Sequence, residues 1–150
     1  LVLVLDRITD VRNFGAIART AECAGVDTIL IPEQNAAAIN ADAIKTSAGA
    51  LHKVIVCRTW NLKLALQFMK ESGIKLIGCT EKTQDDMYKS DFTNPSAIII
   101  GSEEDGVSPE FLKMCDNRAK IPMNGKIASL NVSVSTGVIL YEAIRQRGQN

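Results

Sequence analysis

The sequence predicts an α/β domain in which a mostly parallel sheet is flanked by helices. Short runs rich in β-branched residues alternate with amphipathic stretches, and polar loops containing glycine follow several of the runs. The chain has 150 residues, of which 46% are hydrophobic, and a chain of this length can bury a core without disulfides or a metal. We therefore expect a single domain over residues 1–150.

Six short apolar runs are predicted as strands. They have the continuous hydrophobic character of strands that are buried on both faces of a parallel sheet. They cover residues 2–5, 28–31, 53–56, 75–79, 97–101 and 118–121. The first run passes directly into Asp6 and Arg7, with no basic leader and no small-residue cleavage site. It is therefore interpreted as a strand and not as a signal peptide.

Five stretches between these runs are predicted as helices. They cover residues 15–24, 41–47, 61–72, 109–114 and 131–145. Apolar residues recur at helical spacing in the last stretch and predict its apolar face: Val134, Val138, Tyr141 and Ile144. Two arginines close that helix, at the end where its dipole favours cations.

The charge balance argues against binding of nucleic acid through bulk positive charge. Seventeen basic residues match seventeen acidic ones, so any role with nucleic acid must rest on local chemistry. No apolar run is long enough to span a membrane.

Histidine and cysteine usage argues against metal and triad chemistry. His52 is the only histidine, whereas zinc sites and Ser-His-Asp triads normally need imidazoles, so no metal is expected. Four cysteines are widely spaced, form no CxxC pair and have apolar neighbours: Cys23, Cys57, Cys79 and Cys115. They are predicted to be buried free thiols, which favours a reducing cytoplasm.

The first candidate motif is the polar loop after the opening strand, residues 6–21. Asn13 is predicted to cap the following helix, and Gly15 to let another backbone approach closely. Arg19 follows one turn after Gly15, so Asn13 and Arg19 are expected near the amino-terminal end, where anions are favoured. By spacing alone, a simple helix cap with a surface arginine is favoured over a functional role for these residues.

The second candidate motif is an acidic, glycine-bounded loop after a buried strand, residues 98–109. Gly106 is followed by Val107 and Ser108, and not by the Lys-Ser/Thr pair of a phosphate-binding P-loop. Its acids, which include Glu103, suit a cationic or hydroxyl-bearing ligand, or pairing with an arginine. The alternative is a solvated loop in which Ser108 and Pro109 begin the next helix.

The third candidate motif is a junction rich in serine and asparagine, residues 121–135. A strand ends at Pro122, a glycine turn follows, and small polar residues lead into the last helix. By local structure alone, a role of Ser129 or Asn131 as the N-cap of that helix is favoured over a catalytic role.

In this order the three segments resemble the motifs of the SpoU/TrmH family of SPOUT RNA 2′-O-ribose methyltransferases. The matching patterns are Asn13-x-Gly15-x-x-x-Arg19-x-Ala21, Gly101-x-Glu103-x-x-Gly106, and Ile121-Pro122-Met123 continuing through Ser129-Leu130-Asn131-Val132-Ser133-Val134. Further likeness at residues 46–50 and 141–147 is to the subgroup that modifies a guanosine ribose in large-subunit (23S) ribosomal RNA. Transfer-RNA methyltransferases share the same motifs and are the alternative.

The resemblance implies a carboxyl-terminal deep trefoil knot and a homodimer with the active site at its interface. It also implies that many relatives carry an amino-terminal RNA-binding domain, which this chain is expected to lack. The implied cofactor is S-adenosylmethionine (AdoMet), held largely by backbone groups. By motif position its binding residues are Thr80, Gly101, Ile121, Met123, Ser129 and Leu130.

The resemblance also implies roles for polar residues in methyl transfer to structured RNA. Arg19 is the favoured catalytic residue, as a general base or, more easily for a guanidinium, as a clamp on phosphate or alkoxide. Asn13 would orient Arg19 or the ribose, Glu103 would fix the arginine, and Ser129 and Asn131 would contact the hydroxyl region or the methionine end of the cofactor. The predicted RNA-binding residues are Arg7, Arg12, Arg145 and Arg147.

Three other functions compete with this interpretation. A flavodoxin-like or receiver domain needs an acidic cluster or phosphate loop after the first strand, but Asp6 is followed by Arg7. A Rossmann enzyme needs a GxGxxG motif there, which the sequence lacks. A catalytically silent RNA-binding relative is disfavoured by the presence of Arg19, Glu103 and Asn131.

Overall fold

A six-stranded sheet forms the centre of the computed structural model, which describes residues 1–148. The strands are β1 (Val2–Asp6), β2 (Thr28–Pro32), β3 (Ile55–Thr59), β4 (Lys75–Cys79), β5 (Ser96–Gly101) and β6 (Asn117–Ala119). Their order is β3-β2-β1-β5-β4-β6, and all five pairings are parallel. The carboxyl ends of all six strands therefore lie at one edge of the sheet, and the predicted parallel sheet is confirmed.

Helices cover both faces of the sheet. They are α1 (Val11–Cys23), α2 (Ala41–Thr46), α3 (Leu62–Glu71), α4 (Pro109–Met114) and α5 (Val132–Arg147). Leu3 and Leu5 of β1 pack in one core cluster with α1 and α5, whereas Val4 packs in a second cluster with α3 and α4. This alternation follows from the two-residue side-chain period of a strand.

Two of the predicted strands differ from the observed strands by more than one residue at an end. The predicted strand 53–56 begins later, at Ile55, because residues 50–52 form a 3₁₀ turn and Val54 N–H donates to the Ala50 carbonyl at 2.9 Å. The predicted strand 118–121 ends at Ala119. There Lys120 N–H donates to the Asp85 carbonyl at 2.9 Å instead of continuing along β4.

Helix α1 begins four residues earlier than predicted. Its N-cap is Asp10, whose carboxylate accepts from Asn13 N–H at 2.7 Å, so the prediction that Asn13 caps the helix is wrong. Arg19 consequently lies past the middle of α1, and its predicted place near the amino-terminal end is also wrong. Gly15 does serve for close approach: a Cβ there would lie 2.8 Å from the Ala43 carbonyl oxygen of α2.

Helix α5 buries a different face from the predicted one. Val134 and Tyr141 are 51% and 53% exposed, whereas Ile139 and Leu140 are buried, so the predicted apolar face is wrong at those two positions. Helical spacing identifies an apolar stripe but not which neighbour covers it. The result is an uncovered apolar stripe on α5.

The cysteine prediction holds only in part. All four thiols are free, but Cys23 and Cys57 are exposed, so their predicted burial is wrong. Cys23 ends α1 and Cys57 lies on β3, an edge strand of the sheet. Apolar neighbours in sequence do not bury a side chain that faces outward from such a position.

Candidate active site

A cavity of about 510 Å³ opens at the carboxyl edge of the sheet. It lies between the segments that follow β4, β5 and β6 and the start of α5, and its volume is within the range of small-molecule sites. All six residues predicted to bind cofactor line it: Thr80, Gly101, Ile121, Met123, Ser129 and Leu130. The structure therefore brings these residues together, while their role stays a prediction.

Gly101 allows the acidic loop to fold back over the end of β5. A Cβ at this position would lie 1.9 Å from the carbonyl carbon of Gly106 and 2.0 Å from Val107 N. The return is closed by Gly106 N–H donating to the Ser102 carbonyl at 2.9 Å. Because no side chain fits, this turn requires glycine, and it places the loop against the cavity.

A single amide group joins residues from all three motifs. The Asn131 side chain donates through Nδ2 to Glu103 Oε1 at 2.9 Å and to Asn13 Oδ1 at 3.1 Å. Val132 N–H approaches the same Glu103 oxygen at 3.4 Å. Asn131 is also the N-cap of α5, because its Oδ1 accepts from Ser133 N–H at 2.9 Å. The cap interpretation of Asn131 is thus confirmed, and the same side chain organises the cavity wall.

Arg19 lies apart from this cluster within the chain. It is exposed on α1 and does not line the cavity, and its side chain has no hydrogen bond or ion pair with any residue of 1–148. Six positions along a helix place it about 9 Å from Asn13 along the axis and about 240° around it. Glu103 bonds Asn131 instead, so the expected Glu103–Arg19 contact is not made within one chain.

Three of the four arginines predicted to bind RNA have bonds within the chain. Arg7 contacts Asp6, Asp105 and the Gly106 carbonyl. Arg145 forms a two-point ion pair with Glu142. Arg147 donates to two carbonyls and a hydroxyl within residues 92–96, at 2.8 to 3.0 Å. Arg12 is exposed and has no such partner among the described residues.

The sequence matches a known protein family whose motifs are the segments that meet at the cavity. Residues 1–141 match the family model described as the SpoU rRNA Methylase family. The chain belongs to the SpoU rRNA methylase family. The three sequence motifs that resemble this family are the segments that meet around Asn131.

Curated relatives of this SpoU chain act on ribosomal RNA according to their names. The 23S rRNA (guanosine-2′-O-)-methyltransferase RlmB of Vibrio parahaemolyticus is 42% identical over 147 residues, which is 98% of this chain and 60% of the relative. That of Xanthomonas axonopodis pv. citri is also 42% identical, over 98% of this chain and 59% of the relative. The chain thus spans about 60% of the length of these relatives.

Solved SpoU structures share the fold. The SpoU methyltransferase AviRb from Streptomyces viridochromogenes, crystallised with AdoMet, superposes with a TM-score of 0.92 at 30% identity, covering 100% of this chain and 61% of that one. The TrmH/SpoU tRNA modifying enzyme of A. aeolicus gives a TM-score of 0.88 at 34% identity, covering 99% and 75%.

Thiolate chemistry is disfavoured in the SpoU cavity. Cys79 lines the cavity, and burial raises the pKa of its thiol well above the ordinary value, so the sulfur stays protonated at neutral pH. Among residues 1–148 no three His, Cys, Asp or Glu side chains cluster where they could hold a metal ion. None of the helices in that range combines the length and apolar character needed to cross a bilayer.

Sequence reasoning missed several residues that shape the site. Glu81, Ser102 and Ser135 line the cavity, and Asp6, only 2% exposed, accepts hydrogen bonds from Ser108 across 102 positions. An acid directly at the carboxyl end of a buried strand was the available signal for Asp6, because a buried carboxylate requires partners.

Proposed function

We propose that this chain is the catalytic domain of an AdoMet-dependent RNA methyltransferase that methylates a ribose 2′-hydroxyl, that of a guanosine in 23S rRNA. The observation that carries the proposal is the Asn131 amide, which joins Asn13 and Glu103 at the wall of the cavity. The names of the relatives at 42% identity supply the substrate. The free thiols support a cytoplasmic location.

The chemistry of the cavity fits AdoMet. Its wall includes three carboxylates, from Glu81, Glu103 and Glu104, which suit a ligand with a sulfonium and an ammonium group. Apolar side chains of Ile121 and Met123 offer surface for an adenine ring. The residues proposed to hold AdoMet are the six that the sequence motifs predicted. When bound, AdoMet supplies an electrophilic methyl group.

The polar residues of the chain would orient the ribose and stabilise the negative charge that develops on its 2′-oxygen as the hydroxyl proton passes to water. Asn131 and Asn13 form a fixed pair of amides beside the cavity, and Ser129 adds a hydroxyl to its wall. Arg19 would clamp phosphate or the developing alkoxide, because a guanidinium keeps its proton and donates in a fork. Donors that are held in place before the reaction lower its barrier, because they need not reorganise as charge develops.

The active site is proposed to form at a homodimer interface. Arg19 is exposed and distant along α1 from Asn13, so a second copy would have to supply this guanidinium to the cluster. The half-exposed Val134 and Tyr141 of α5, with Leu130 at 38% exposure, provide the apolar surface for such contact. A carboxyl-terminal trefoil knot, as the family resemblance implies, is part of the same proposal.

Subunit complementation tests this arrangement. Arg19→Ala and Asn131→Ala each remove one half of the proposed site and should inactivate their homodimers. Unfolding and reassociating equal amounts should give about half mixed dimers, each with one intact site, and therefore about a quarter of wild-type activity. Two inactive variants that stay inactive after mixing, with dimers formed, would show that Arg19 does not act across the interface.

The RNA-binding residues are proposed from their positions. Arg12 is free to contact phosphate. The other three, Arg7, Arg145 and Arg147, would contact RNA either beside their present bonds within the chain or in exchange for them.

The choice of substrate is tested by measuring methyl transfer to 23S rRNA and to tRNA side by side. Transfer to tRNA alone would contradict the ribosomal substrate and leave the reaction class intact.

A further inference from the structure

We infer that Asp6 is a positioning residue that holds Glu103 in its place beside Asn131, acting through the acidic loop 102–108. This inference rests on the proposed function for its meaning in catalysis. Asp6 ends β1 and is only 2% exposed. A buried carboxylate needs full compensation, and its partners are therefore informative.

Asp6 fixes the end of the loop. Its Oδ2 accepts from Ser108 N–H at 2.7 Å and from the Ser108 hydroxyl at 2.6 Å. Ser108 is the N-cap residue of α4, yet its hydroxyl makes no cap bond to that helix. The hydroxyl is thus committed to Asp6, and the carboxylate binds the point where the loop enters α4.

Arg7 extends the same clamp to the middle of the loop. Its Nε approaches Asp6 Oδ1 at 3.3 Å, Nη1 donates to Asp105 Oδ2 at 2.8 Å, and Nη2 donates to the Gly106 carbonyl at 3.0 Å. The residue has φ of 60°, a left-handed conformation that non-glycine residues adopt rarely. The guanidinium therefore lies between two carboxylates and ties three points of β1 and the loop together.

The far side of the loop carries Glu103. Its Oε1 accepts from Asn131 Nδ2 at 2.9 Å, and Glu103 itself is exposed. Within residues 1–148 its side chain has only one other bond, a longer one from Val132 N–H at 3.4 Å. The backbone of the loop therefore determines whether the carboxylate reaches Asn131. Since Asp6 binds that backbone at Ser108, its effect on the cavity passes through Glu103.

Asp6→Asn tests the inference, because it keeps the shape of the side chain and removes its charge. Asp116→Asn is the matched control. Asp116 accepts from Leu76 N–H at 2.9 Å and pairs with Lys70 at 2.8 Å, but it does not line the cavity. If Asp6→Asn fails to fold, Ser108→Ala removes the hydroxyl donor to the same carboxylate.

The readout that does not need activity is the side-chain amide of Asn131, followed by ¹⁵N NMR. Glu103→Ala should shift these signals, and Asp6→Asn should move them toward the Glu103→Ala position, whereas Asp116→Asn should leave them unchanged. Unchanged Asn131 signals in Asp6→Asn, or equal changes in Asp116→Asn, would overturn the inference even if the chain transferred no methyl group.

The catalytic readout is a double-mutant cycle on the single-turnover rate at saturating AdoMet and RNA. Asp6→Asn should slow the wild-type reaction about tenfold, but should slow the Glu103→Ala protein less than about threefold, since coupled residues are not additive. Factors that simply multiply would overturn the inference. A wild-type chain that binds AdoMet without transferring methyl would instead contradict the proposed function.

Discussion

Among the Gly→Ala substitutions at described positions, Gly101→Ala should disrupt the candidate site most. The new Cβ would lie 1.9 to 2.1 Å from three backbone atoms of Gly106 and Val107. An ordinary contact begins at 3.4 Å, so the loop would have to move by about 1.4 Å, the difference between 3.4 and 2.0 Å. Overpacking of this kind costs about 3 kcal/mol.

Both stability and chemistry should report this displacement. For a chain of this size, about 3 kcal/mol corresponds to a fall in Tm of roughly 6–12 °C. Because the displaced loop carries Glu103, the methyl-transfer rate should fall at least about tenfold. Differential scanning calorimetry and a labelled-methyl assay measure the two effects.

Gly125→Ala is the control for this substitution. Gly125 lies in the third motif, but a Cβ there meets nothing within 4 Å, so Tm and rate should stay near wild type. A Gly101→Ala protein with wild-type Tm and wild-type rate would show that the close return of the loop does not require glycine.

Further predictions concern two arginines, Arg147 and Arg12, and two residues of α5, the buried Glu142 and Gly137. Arg147→Ala should lower the free energy of unfolding by about 1–3 kcal/mol through loss of three hydrogen bonds to residues 92–96; a stability equal to wild type in urea titration would contradict it. Arg12→Ala should leave stability within about 0.5 kcal/mol and reduce the salt dependence of RNA binding by about one unit of slope. The hydrogen bond from Arg145 lowers the pKa of Glu142, so the stability that Glu142 contributes is complete above its ordinary pKa of 4.5 and is lost as pH falls below that value. The difference in Tm between wild type and Glu142→Gln should therefore narrow below pH 4.5. A difference that stays constant with pH would contradict this prediction. Gly137→Ala should stabilise α5 by about 0.5–1 kcal/mol, since its Cβ would meet only a methyl group at 3.5 Å, and a lower Tm would contradict this.

Much of the architecture follows from local sequence pattern. Parallel strands were predictable because continuous apolar runs alternated with amphipathic stretches. A ligand site was predictable near the carboxyl ends of the strands, because open α/β folds usually bind their ligands there. Thr80 and Gly101 illustrate this: each follows or ends a strand and lines the cavity. The family resemblance supplied the identity of all six predicted cofactor residues, including Thr80 and Gly101, by their positions in the motifs.

Other features depend on choices that local sequence does not decide. Asp10 and Asn13 can each cap a helix, and only the structure shows that Asp10 does so, which moves Arg19 away from the amino-terminal end. The exposed face of α5 depends on what packs against it, and periodicity carries no such information. The clamp from Asp6 and Arg7 joins residues about a hundred positions apart, beyond the reach of any spacing rule.

Ribose methylation can be tested by transfer of a labelled methyl group from AdoMet to 23S rRNA that lacks this modification, followed by nucleoside mass spectrometry. We expect the label in 2′-O-methylguanosine, at no more than one methyl group per RNA, and we expect its loss in Arg19→Ala protein that still folds and binds AdoMet. A label on a base, or no transfer by wild-type protein that binds both AdoMet and RNA, would contradict ribose methylation as the function.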